Sequence, residues 1–172
     1  MEKLRNFFLL TLFSLLFFSS NLFLNEKSFA SNSSFEIIPE KVSIFNENEI
    51  YLIVRFDLEK NWHTYWKNPG DSGEPASFEW DLPKGFEISE AMWPTPELIP
   101  YPPLTTFGYT DQLELLFKLS LPEEVKENSV IAVSSKWLVC ADVCIPQEGS
   151  VSFDLFKACL LYTSPSPRDL DL

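Results

Sequence analysis

The chain has 172 residues, and its 13 Lys+Arg against 25 Asp+Glu leave a formal net charge of −12. A surface this acidic repels phosphate backbones, which argues against nucleic acid as a partner. With 45% hydrophobic and 15% aromatic residues and only 5 Gly, the composition suits a packed core rather than a disordered chain.

The chain opens with a short basic stretch, Met1 to Arg5, followed by an apolar run from Phe7 to Phe18. A polar patch, Asn25-Glu26-Lys27, leads to Ser28-Phe29-Ala30. Basic start, apolar middle and small residues at the end form the pattern of a secretory signal peptide, cut after Ala30. The apolar run is shorter than the roughly 20 residues a membrane span needs. Residues 31–157 then make one domain.

Strand signals dominate that domain. Phe35–Pro39 and Lys41–Phe45 alternate apolar and polar residues, and Glu49–Asp57 is the strongest strand, with Ile50, Leu52, Val54 and Phe56 on one face. Trp62–Trp66 continues in the same style, and Asn68–Gly73 is a loop on its turn chemistry. Ser77–Asp81 and Phe86–Ser89 read as short strands around a Pro83-Lys84-Gly85 turn. Between Trp93 and Pro103 lie prolines at 94, 96, 100, 102 and 103, so this segment is an extended loop or an edge strand. Gln112–Leu121, Ser129–Ser135 and Gly149–Phe156 are further strands. Many short strands, turn-rich joints and no convincing helix indicate an all-β sandwich. From Ala158 onward the Pro/Ser-rich sequence loses all periodicity and resembles translated sequencing-adapter read-through, with a disordered Pro/Ser tail as the alternative. Residues 158–172, and with them Cys159, are therefore set apart from the domain.

Two cysteines remain, Cys140 and Cys144. Export carries them to an oxidising compartment, where close thiols pair. Along a straight strand they would stand ~13 Å apart, whereas a disulfide needs Cα atoms within about 7 Å. Ala141-Asp142-Val143 must therefore turn back for a bridge to form. So small a loop constrains the unfolded chain little, which weakens the purely structural reading and favours exchange chemistry. Three readings stay open on spacing alone: a redox pair, a local structural bridge, and a copper(I) site using two thiolates. Zinc fits less well, with His63 far off in sequence.

Other chemistry is poorly supported. His63 is the single His, and a lone His in an aromatic strand is more often a packed or edge residue than a base. No Gly-x-Ser-x-Gly elbow or phosphate-binding Gly loop is present.

Four segments occur in a telling order: Trp62-His-Thr-Tyr-Trp-Lys-Asn-Pro-Gly-Asp-Ser-Gly73, Trp93-Pro94, Phe107-Gly108-Tyr109 and Trp137-Leu-Val-Cys-Ala-Asp-Val-Cys-Ile-Pro146. Together they resemble the N-terminal periplasmic domain of the thiol:disulfide interchange protein family (DsbD and its ScsB-like relatives). The resemblance implies an immunoglobulin-like β-sandwich and a protein-disulfide reductase module whose only redox group is its own disulfide, with no separate cofactor. It implies Cys144 as the thiol that forms the mixed disulfide and Cys140 as the resolving thiol. It places a cap loop near Thr105–Tyr109, with Phe107 and Tyr109 as shielding candidates and core packing as the alternative for both. The implied partners are a thioredoxin-like domain of the same full-length protein, fed by a membrane-embedded domain, and periplasmic thioredoxin-like or disulfide-isomerase proteins, including those of cytochrome c maturation. The short spacing of the pair points to the ScsB-like branch, and Thr105 and Thr106 stand where some members carry acidic residues. A non-catalytic immunoglobulin-like binding domain remains the competing reading.

Overall fold

A computed structural model describes residues 27–40 and 48–160. In chain order the elements are β1 (Lys27–Ala30), β2 (Ser33–Pro39), β3 (Glu49–Leu58), β4 (His63–Gly70), β5 (Ser77–Asp81), β6 (Glu87–Ile88), β7 (Glu97–Tyr101), β8 (Leu104–Thr110), β9 (Gln112–Ser120), β10 (Val130–Cys140), β11 (Cys144–Asp154) and a short helix, α1 (Leu155–Leu160). One sheet runs β1-β2-β3-β9-β6, the other β11-β10-β4-β8-β7, with β5 also paired to β10. The pairings are antiparallel, and the two sheets form the expected immunoglobulin-like sandwich.

Period-two alternation builds the core. Ile50, Leu52, Val54 and Phe56 of β3 are fully buried, and Leu113, Leu115, Phe117 and Leu119 of β9 repeat the pattern beside them. Ile131, Val133, Trp137 and Val139 of β10 close on them from the second sheet. Each such side chain stabilises the fold by roughly 1.5–3 kcal/mol through burial. Trp137 is the keystone for the functional end: its ring lies 5.5 Å from Phe35 and 5.0 Å from Phe56. Its buried Nε1–H needs an acceptor and donates to Ser33 Oγ at 3.0 Å. Ser33 in turn donates to Gln147 Oε1. The strand that carries Cys140 is thus tied to the opposite sheet three residues before the cysteine.

Several segments take a form the sequence did not specify. β4 extends through Asn68-Pro69-Gly70 because a register shift in the β4–β8 pairing between Tyr65 and Gly70 accommodates them. The proline-rich segment contains β7 at the sheet edge, where missing N–H donors cost no ladder bond. Thr105–Tyr109, expected as a loop, lies within β8, paired to β4 on one side and β7 on the other. β11 ends at Asp154, whose Oδ1 accepts the Lys157 N–H at 3.1 Å and caps α1, where strand was expected through Phe156.

Lys27–Ala30, assigned by sequence to the leader, pairs with Ser33–Glu36, and Lys27 Nζ reaches Asp57 Oδ2 at 2.5 Å. The basic start and apolar run of that leader, the whole of the Lys41–Phe45 strand expectation and the tail from 161 lie outside the described residues.

Candidate active site

β10 and β11 form a hairpin whose register pairs Cys140 directly with Cys144. Ala141-Asp142-Val143 is the turn, closed by the Ala141 N–H donating to the Val143 carbonyl at 3.0 Å. The fold-back brings the two Cα atoms to 4.1 Å and the sulfurs are bonded. Along β10 the core side chains are Ile131, Val133, Trp137 and Val139. Cys140, one position out of phase with them, stands on the outer face of its sheet. The two sulfurs differ in access: Cys140 is only 2% exposed, whereas Cys144 opens to solvent beside Val143, itself 63% exposed.

β4 supplies the cover. At its start His63 pairs with Cys140 across the β4–β10 boundary, so His63 and Tyr65 share the outer face with the disulfide. The Tyr65 hydroxyl donates to Cys140 Sγ at 2.9 Å and lies 3.6 Å from Cys144 Sγ. Tyr65 is buried, with the His63 ring edge-on at 5.3 Å. The neighbouring strand and loop make room for it. Gly108 sits opposite Tyr65, where a Cβ would meet the Thr64 carbonyl oxygen at 2.0 Å. Gly73, at φ +97°, brings the loop after β4 down on the phenol ring, and a Cβ there would lie 2.1 Å from Tyr65 Cε1. The loop is held by the Asp71 N–H donating to the Thr105 carbonyl at 2.9 Å and by a Ser72–Thr106 hydroxyl contact at 2.9 Å.

Residues 36–155 match the family model described as thiol:disulfide interchange protein DsbD, N-terminal. The chain belongs to this family. Among solved structures, the DsbD-type domain here is similar to the N-terminal periplasmic domain of ScsB from Proteus mirabilis, at TM-score 0.60 and 18% identity over 77% of this chain. It spans about half of that protein's chain, 51%. A second structure, the yeast GGA1 GAE domain-P21, aligns at TM-score 0.42 and 7% identity over 76% of this chain and 99% of its own, too distant to inform function. No curated protein matches in sequence. Family, fold and the paired cysteines make this DsbD-type domain a thiol–disulfide exchange module.

The other site expectations fall elsewhere. In β8, Tyr109 pairs with Thr64 and is buried in the core, its hydroxyl donating to the Pro94 carbonyl at 2.8 Å and its ring stacked near Trp93 at 6.5 Å. Burial pushes its phenol up to about 12. Phe107, in phase with Tyr109, is half-buried with its ring edge-on to Trp66 at 6.3 Å. The aromatic side chain hydrogen-bonded to Cys140 is Tyr65, one the sequence displayed in its Trp62–Trp66 motif without assigning it a role. Alternation already put His63 and Tyr65 on one face, but only the β4–β10 pairing says that this face carries the cysteines. Burial pulls the His63 imidazole below its ordinary value, favouring the neutral ring. Among the described residues no group of three or more His, Cys, Asp or Glu is arranged to hold a metal ion.

Proposed function

We propose that this domain is a periplasmic relay module, which takes electrons through Cys140 and Cys144 from a membrane-embedded reductase by way of a thioredoxin-like domain of the same full-length protein. It passes them to periplasmic thioredoxin-like or disulfide-isomerase partners. The observation that carries this reading is the asymmetry of the pair. Cys144 faces solvent, while Cys140 is buried against a hydroxyl donor. In the loading direction a donor thiolate attacks Cys144 Sγ in line with the disulfide. A new S–S bond forms to Cys144, the old one breaks, and its electron pair stays on Cys140 Sγ, stabilised by the Tyr65 O–H. The donor's second thiol then resolves the mixed disulfide and leaves the domain reduced. In the unloading direction Cys144 attacks the partner's disulfide and Cys140 resolves. Tyr65 and the Asp71–Gly73 segment over it act as the shield of Cys140, leaving Cys144 as the sulfur open to attack.

A redox titration tests the reading. A relay pair titrates above about −300 mV, the level below which structural disulfides lie, and a lower midpoint would reject the relay. Trapping tests the roles: Cys140→Ala should accumulate a mixed disulfide through Cys144 with a thioredoxin-like protein. Trapping by Cys144→Ala instead would reverse the assignment.

A further inference from the structure

We infer that His63 is a positioning residue for the exchange, its imidazole becoming charged when the disulfide opens and holding the released Cys140 sulfur as an imidazolium–thiolate pair. The inference deepens the function proposed above and rests on the same site. His63 is the cross-strand partner of Cys140 on the outer face, where paired Cβ atoms stand about 4.5–5.5 Å apart. Its ring also abuts Tyr65, whose hydroxyl is 2.9 Å from Cys140 Sγ. Half-buried, it touches both the site and solvent.

While the disulfide is intact neither sulfur carries charge, and burial favours the neutral imidazole. Opening places a negative charge on a sulfur that water barely reaches, and a buried charge calls for a counter-charge. The groups facing His63 are Cys140 from β10, Cys144 beyond it on β11, Tyr65 on its own strand and Thr110 from β8. Thr110 donates to Glu97 Oε2 on β7 at 3.1 Å, and that carboxylate is present in both oxidation states, so it cannot make one differ from the other. The donor sulfur bonds to Cys144 Sγ, the Sγ–Sγ bond breaks, its electron pair remains on Cys140, and His63 takes one proton from water. Resolution in the opposite direction returns that proton.

His63 is the single His of the chain, so its imidazole signals in NMR need no assignment in the untagged protein. The experiment titrates them in the oxidised chain and in the chain reduced by excess phosphine. The expected result is a pKa higher by about one unit or more in the reduced form. Equal pKa values in the two forms would overturn the inference. His63→Asn should flatten the pH dependence of Cys140 release by a small thiol, and an unchanged profile in a folded variant would also overturn it. The titration needs only chemical reduction. A pair that shows the shift yet exchanges with no thioredoxin-like protein would remove the relay reading and leave this one standing.

Discussion

Replacing Tyr65 by Phe removes one hydroxyl and keeps the ring that Gly73 and His63 pack against. The lost interaction is the 2.9 Å hydrogen bond to Cys140 Sγ. Against a neutral disulfide sulfur such a bond is worth about 0.5–1.5 kcal/mol, and against a charged acceptor about 1.5–3 kcal/mol. The difference, roughly 1–1.5 kcal/mol, favours the state in which Cys140 leaves as a thiolate. A transition state that develops part of that charge should lose much of this, which corresponds to a rate about three- to tenfold lower. The assay is stopped-flow reduction of the oxidised chain by a small thiol at fixed pH, followed by Trp fluorescence, with far-UV circular dichroism as the control for folding. A rate within experimental error of the wild type, in a variant with unchanged circular dichroism, refutes the assignment of Tyr65 as donor to the leaving sulfur.

Gly73→Ala combines a left-handed backbone with a Cβ 2.1 Å from the Tyr65 ring, so the loop must lift. Small-thiol access to the buried Cys140 should rise and stability fall by about 1–3 kcal/mol, measured by alkylation of the reduced pair and by urea unfolding. Unchanged values would show that the loop does not clamp the ring. Trp137→Ala empties the space between Phe35 and Phe56 and leaves Ser33 Oγ without its indole donor. A loss of about 3–5 kcal/mol in denaturant unfolding is expected, and a loss under about 1 kcal/mol would contradict the keystone role. The His63 imidazole has a folded pKa below its unfolded value near 6.5. The unfolded chain therefore binds more protons between the two values, and the oxidised domain should lose stability as pH falls through about 6.5 toward the lower folded pKa. The loss should be absent in His63→Asn, and its persistence there would assign it to other groups.

The fold was legible where one physical rule governed a whole segment. Alternation along Glu49–Asp57 gave both the strand and its buried face, because one side of a pleated strand must leave water. Five prolines marked Trp93–Pro103 as edge or loop, because each lacks a ladder donor. Boundaries set by neighbours were not legible. The extension of β4 through Gly70 depends on β8, and the strand character of Thr105–Tyr109 depends on both β4 and β7.

The same division runs through the site. By itself the sequence determined that Cys140 and Cys144 can bond only if Ala141-Asp142-Val143 turns back, since a straight strand holds them too far apart. It also put His63 and Tyr65 on a common face. Which sulfur water can reach, and which aromatic ring lies on the other, was decided only in the tertiary structure. Those answers come from a cross-strand register joining residues 77 positions apart, His63 and Cys140, and from two glycines that let neighbouring backbone close on Tyr65. Chain-local periodicity states which way a side chain points along its strand, and only the pairing of strands states what it points at.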